Sequence, residues 1–287
     1  MPDLLIFGFG YSGHAIALAA RNSGFRVTAT SRRAAAQKPP DGIRIVGFDA
    51  AADAIGSATH ILSTAAPDEH GDPVLAIYAR QIAEAKNLAW IGYLSTTGVY
   101  GNRNGGWVDE DTPPAPQSPR AERRVAAEAA WSKFPNRIID IFRLAGIYGP
   151  GRSMFDDLRA GTARRVVKSG HLFGRIHRDD IAQGVLAAMQ RTAAPGLNIF
   201  NFSDDEPAAS AEVVVEAAVL LGVAPPSEVA FSDALPAMSP MACSFWAENR
   251  RVANQKTKAV LGINWLYPTF REGLRAILAE ERRQGLL

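Results

Sequence analysis

Six residues near the start of the chain, Gly8-Phe9-Gly10-Tyr11-Ser12-Gly13, carry the spacing G-x-G-x-x-G. In that spacing the first glycine permits a tight turn and the second lets a diphosphate approach the backbone. The third allows a helix to pack closely on the preceding strand. The chemistry is dinucleotide binding, because the amides and positive pole of a helix start favour a diphosphate. A glycine-rich turn with no ligand is the alternative. The motif directly follows the apolar run 4–7 and opens a helical stretch at 14–22, which favours the dinucleotide. An NAD-selective site carries an acid about 20 residues further on to bind the ribose hydroxyls. Here the second strand ends Thr30-Ser31-Arg32-Arg33, without a carboxylate. Guanidinium forks suit a 2′-phosphate. The sequence therefore predicts NADP in preference to NAD, with Ser31, Arg32 and Arg33 as its contacts. Asp49 either accepts a bond from the adenine amino group or caps a helix.

The elements that must position these residues alternate. Strands are predicted at 4–7, 26–30, 43–48, 60–64, 89–95 and 137–143, with helices at 14–22, 74–86 and 120–133. Strands separated by helices imply right-handed crossovers and a parallel sheet. Beyond residue 150 the pattern weakens. Helices are read at 179–189, 211–221, 254–261 and 270–281, and a strand at 198–202. The expected architecture is α/β: a Rossmann-like, doubly wound parallel sheet over 1–150, with a smaller α/β cap over 151–287. Residues from about 175 to 202 are expected to return to the main sheet. The segment 101–119 is rich in Gly, Pro, Asn and Asp and reads as a long loop, of the kind that is often functional.

Composition narrows the function classes. The 287 residues include 47% hydrophobic and 21% charged residues, ordinary for a globular protein. Basic and acidic residues number 31 and 29, too balanced for a nucleic-acid-binding face. Cys243 is the single cysteine, so neither an internal disulfide nor a thiolate-rich metal site is available. Met1-Pro2-Asp3 lacks a signal peptide's basic stretch, and no apolar run reaches the ~18 residues needed to span a bilayer. A cytoplasmic protein is expected. The acidic loops Asp68-Glu69-His70 with Asp72, and Asp109-Glu110-Asp111, read as solvated. Cys243 reads as buried packing, and Phe245 and Trp246 as core or as pocket lining.

Four further segments fall in a telling order: Tyr93-Leu94-Ser95-Thr96-Thr97-Gly98-Val99-Tyr100-Gly101, Phe142-Arg143-Leu144-Ala145-Gly146-Ile147-Tyr148-Gly149-Pro150-Gly151, Ile176-His177-Arg178-Asp179-Asp180-Ile181-Ala182, and the pair Leu261-Gly262 with Glu272-Gly273-Leu274. With the glycine motif they resemble the extended short-chain dehydrogenase/reductase family, of the NAD-dependent epimerase/dehydratase type. The resemblance implies a coenzyme set of Gly8, Gly10, Tyr11, Ser12, Gly13, Ser31, Arg32, Arg33, Asp49, Thr64, Ala65 and Arg124. It places Thr96 at the family's catalytic Ser/Thr position. It also implies a small polar substrate, one like a sugar nucleotide included, in the cap. A homodimer is implied through the helices at 74–86 and 120–133.

Two departures shape the expected chemistry. Phe7 stands where the family's usual G-x-x-G-x-x-G needs its first glycine. No tyrosine has a lysine four residues on; those positions hold Ala15, Ile82, Thr97, Asn104, Arg152 and Arg271. Alignment through Ala126-Ala127-Glu128 puts Arg120 at the family's tyrosine position and Arg124 at its lysine position. Arginine does not deprotonate in proteins. Arg124 can keep a ribose contact, and Arg120 can bind an anion or steady an oxyanion. The proton must then come from another acid of suitable pKa, for which Tyr100, His177 and Tyr148 are the candidates. Each has a structural alternative. The two functions weighed are an NADP-dependent oxidoreductase or epimerase/dehydratase, and a catalytically degenerate NADP-holding sensor.

Overall fold

The computed structural model describes residues 1–36 and 38–285. Its first half runs β1 (Asp3–Phe7), α1 (Tyr11–Asn22), β2 (Arg26–Thr30), β3 (Ile43–Val46), α2 (Ala52–Ser57), β4 (His60–Ser63), α3 (Pro73–Glu84) and β5 (Trp90–Thr96). Then come β6 (Trp107–Val108), α4 (Pro119–Trp131), β7 (Ile138–Leu144) and β8 (Gly146–Tyr148). The second half adds α5 (Met154–Arg159), β9 (Arg165–Val167), β10 (Arg175–His177), α6 (Arg178–Gln190), β11 (Gly196–Phe202), α7 (Ser210–Leu221) and β12 (Glu228–Ala230). It ends with α8 (Phe231–Ala234), α9 (Pro240–Ala247), β13 (Arg251–Val252), α10 (Gln255–Leu261) and α11 (Phe270–Arg283).

Seven strands form one parallel sheet in the order β11-β7-β5-β4-β1-β2-β3. The apolar run of β1 explains its central place. Leu4 and Ile6 join the core on one face, with α1 and α6, whereas Leu5 and Phe7 join the core on the other, with α3 and α4. A strand buried on both faces has no polar alternation. Each such side chain contributes roughly 1.5–3 kcal/mol. Strand order reverses between β1 and β4, and a doubly wound sheet opens its ligand crevice beyond the carboxyl ends of such strands.

Helix starts follow from local chemistry. Asp72 caps α3, accepting from the amides of Val74 at 2.9 Å and Leu75 at 3.0 Å, with Pro73 as the first helical residue. Its second oxygen accepts from Trp131 Nε1 at 2.9 Å, so Asp72 is buried. Glu110 is buried too, accepting from Thr257 Oγ1 at 2.7 Å. Both corrections have one cause: a carboxylate in a polar loop can serve a neighbouring donor as well as water.

The remaining chain is tied to the sheet by short pairings. β8 pairs with β10, β9 with β12, and β6 with β13, all parallel. Helices α5, α7 and α11 pack around Phe155, Phe270 and Leu274. Among the described residues no helix is long and apolar enough to cross a membrane.

Candidate functional site

The turn after β1 is shaped by its glycines. Gly8 has φ +109°, a region that glycine occupies readily. A Cβ there would lie 2.3 Å from Thr64 Oγ1, and one on Gly13 would lie 2.1 Å from Gly8 O. These two positions are closed by packing. Gly10 is different: nothing lies within 4 Å of its Cβ position. Thr30 holds the turn to β2, its Oγ1 accepting from Gly8 N at 3.1 Å and its carbonyl from Phe9 N at 2.9 Å. The amides of Tyr11, Ser12 and Gly13 begin α1, where intrahelical acceptors are missing. Open backbone at Gly10 beside unpaired amides fits a diphosphate. Tyr11 donates through its hydroxyl to Pro150 O at 3.0 Å, which bridges the turn to the loop after β8.

A cleft of about 690 Å³ opens here. It brings together Gly10, Tyr11, Ser12, Gly13, Thr64, Thr96, Arg120 and Arg124. Ser31, Arg32, Arg33 and Asp49 lie outside its lining, at the ends of β2 and β3. Arg32, Arg33 and Asp49 are exposed, and Ser31 Oγ accepts from Arg33 N at 3.1 Å. Asp49 belongs to a single turn at Phe48–Ala50, and Ala51, which precedes α2, makes no side-chain cap. The capping alternative for Asp49 is thus set aside.

Thr96 ends β5, and its Oγ1 accepts from Gly98 N at 3.1 Å, leaving its proton free to donate. Arg124 is buried, and its Nη1 donates to Leu94 O at 2.8 Å, Tyr93 Oη at 3.0 Å and Ala65 O at 3.5 Å. It thereby ties α4 to the ends of β4 and β5. Its other nitrogens have no protein partner among the described residues. Arg120 is exposed in the first turn of α4 and is likewise unpaired. A cation at a helix N-terminus is disfavoured by about 0.3–1 kcal/mol. Like charges at i and i+4 are disfavoured by about 0.2–0.5 kcal/mol. An anion between Arg120 and Arg124 relieves both terms.

The three candidate proton donors, each with a structural alternative, are placed as follows. Tyr100 is fully buried outside the cleft lining, donating to Asn201 Oδ1 at 2.8 Å beneath the Arg143 guanidinium, and burial pushes its pKa up. His177 is a helix cap: its Nδ1 accepts from Asp179 N at 3.2 Å, while its ring packs between Tyr148 and Tyr267. Burial lowers its pKa to about 4, so it is neutral at pH 7. The ring of Tyr148 lines the cleft, but its hydroxyl is buried against Gly273 of α11 without a partner, and burial raises its pKa. In each case the apolar surroundings suit the structural alternative.

Other lining residues were missed or left open in the sequence. Ser95 donates to Glu128 Oε1 at 2.5 Å, and Glu128 is bound in turn by Arg143 Nη2 at 2.8 Å, a buried ion pair behind the cleft wall. From the second half, Phe245 and Trp246 of α9 supply an aromatic wall. His171 lies buried behind it, its ring tilted against those of Phe173 and Trp246. Cys243 is only half-buried. Arg152, Arg175 and Arg250 complete the lining, in which five arginines face one carboxylate, Glu248. Nothing local in the sequence marks these arginines, because three segments remote from one another bring them together.

Sheet order and glycine turn define a Rossmann-like, doubly wound α/β protein. No family model matches the chain. A functionally unknown conserved protein from Silicibacter pomeroyi is 42% identical, with a TM-score of 0.88 over 98% of this chain and 99% of that one. A putative NAD-dependent epimerase/dehydratase from Methylobacillus flagellatus is 25% identical, with a TM-score of 0.75 over the same shares. Protein YeeZ of Escherichia coli is 26% identical over 246 residues, covering 79% of this chain and 86% of that protein. These likenesses show the fold of the extended short-chain dehydrogenases/reductases, of the epimerase/dehydratase type. They support an NAD(P)-binding reading of the oxidoreductase/epimerase kind.

Proposed function

We propose that this chain is an NADP-dependent enzyme, an oxidoreductase or epimerase/dehydratase, acting on a small polar substrate. One observation carries the reading: the open backbone at Gly10 and the free hydroxyl of Thr96 share a single unplugged cleft. The nicotinamide coenzyme, when bound, supplies the hydride chemistry. The chain's residues do the rest. Gly10 and the first amides of α1 bind the diphosphate, Thr64 and Ala65 border it, and Arg124 offers its free edge to the ribose. Arg32 and Arg33 grip the 2′-phosphate, and Asp49 accepts from the adenine. Thr96 donates to the substrate oxygen. Ser95, hydrogen-bonded to Glu128, offers a path by which a substrate hydroxyl proton leaves: Ser95 Oγ accepts it as the serine proton passes to Glu128 Oε1.

The burial of Tyr100 and His177 favours a second reading, a protein that holds NADP and signals its redox state without turnover. One experiment addresses both. Purified protein is titrated with NADPH and NADH, then incubated with aldehydes, ketones and sugar nucleotides while coenzyme absorbance is followed. The enzyme reading expects tighter NADPH binding, weakened about tenfold or more by Arg32→Ala with Arg33→Ala. It also expects turnover with at least one substrate class. Equal NADH binding that ignores these substitutions would refute the choice of NADP. Tight NADPH binding with no turnover across the panel would transfer the case to the sensor.

A further inference from the structure

At the substrate end of the cleft, Thr96 is joined by an arginine that the family resemblance does not supply. A Cβ built on Gly98 would lie 3.4 Å from Thr96 Oγ1 and 3.9 Å from Arg250 Nη2. The hydroxyl and the guanidinium thus flank one stretch of bare backbone, in a space that a side chain at residue 98 would enter. Arg250 is preset there. Its Nη1 donates to Gly101 O at 2.9 Å and to Glu248 Oε2 at 2.5 Å. Its Nη2 has no protein partner among the described residues. Glu248 therefore fixes one edge of the fork and leaves the other aimed beside Thr96. The same lining holds Arg120, exposed and without a protein partner among the described residues.

Building on the enzyme reading above, we propose that Arg250 and Thr96 form an anion subsite that takes a carboxylate or phosphate group of the substrate. A guanidinium edge donates two parallel bonds to such a group, and a hydroxyl adds a third. The guanidinium edge and hydroxyl left without a protein acceptor favour an anionic over a neutral substrate, because charge-assisted bonds are the stronger ones. The substrate class is accordingly an organic anion whose charged group lies close to the reacting oxygen. Arg250 orients the substrate and Arg120 draws it in.

Simple anions test this without knowledge of the substrate. Inorganic phosphate and malonate are each titrated by calorimetry into wild-type protein, free and saturated with NADPH. Saturation separates this subsite from the glycine turn, where free anions would compete with the coenzyme. The expected result is binding that persists with NADPH present and weakens about tenfold or more in Arg250→Gln. Arg282→Gln, on α11, leaves it unchanged. The preferred anion tells carboxylate from phosphate. Should Arg250→Gln fail to fold, Gly98→Ala decides, because it removes no bond and places a methyl between the two groups; weakened anion binding with unchanged NADPH affinity supports the subsite. Anion binding that ignores both substitutions, or that NADPH abolishes, overturns it. NADPH failing to bind while anion binding stays dependent on Arg250 would sink the coenzyme reading and leave the subsite standing.

Discussion

The glycines of the first turn do two kinds of work, and single methyl groups tell them apart. Gly13→Ala collides with Gly8 O. It should lower the melting temperature and abolish coenzyme binding together. Gly10→Ala meets nothing in the protein. It should leave the melting temperature in place and weaken NADPH about tenfold or more, read by calorimetry. His177 carries a different expectation. Its pKa falls from 6.5 to about 4 on folding, with Asp179, Arg178, Tyr148 and Tyr267 around it. The unfolded chain therefore binds the extra proton between these values. The stability from keeping His177 neutral is complete above pH 6.5 and is lost as pH falls toward 4, by up to about 3 kcal/mol. Asp180, raised to about 7 by burial, acts in the opposite sense. The informative quantity is thus a difference: denaturant unfolding at pH 7 and pH 5 should show a smaller loss for His177→Asn than for wild type. At this scale the glycine motif was legible because its chemistry is local. The fates of Tyr100, His177 and Tyr148 were not, because burial depends on α6, α11 and β11, which lie far along the chain.

Elements are held to one another by a few buried charges. Arg143 on β7 and Glu128 on α4 pair at 2.8 Å, with Ser95 of β5 as a third member. Arg143→Leu strands a buried carboxylate and should cost about 3–5 kcal/mol in urea unfolding. The double change with Glu128→Leu should recover most of that loss, because no unpaired charge is left. If the single change proves neutral, the pair does not brace α4. Long elements were readable from apolar runs and helix caps. The strands at Arg26–Thr30 and His60–Ser63 fall within a residue of their expected bounds. Two- and three-residue strands such as β6, β9 and β13, and the short helices α2, α5, α8 and α9, went unread. They are too brief to show periodicity, and their partners are remote in sequence. Arg250 shares that reason, since it precedes β13.

For the whole molecule, the order of elements in the chain does not match their order in space. β11 completes the sheet beside β7, and α6 packs on α1. A fragment ending at Pro150 would lose both, uncovering Phe142 and Leu144. It should therefore unfold without a cooperative transition by circular dichroism, and a sharp transition would show that the first half stands alone. Two-residue β6 joins the far end of the chain back to the long loop, with Trp107 opposite Arg251 and Ala253 N donating to Val108 O at 2.8 Å. Arg250 lies immediately before this splice. Through Gly101 O, which accepts from Arg250 Nη1, and through this splice, the guanidinium is tied to the long loop. Deuterium uptake at the Arg251 and Ala253 amides should slow when an anion is held by Arg250, a signal of occupancy that needs no turnover.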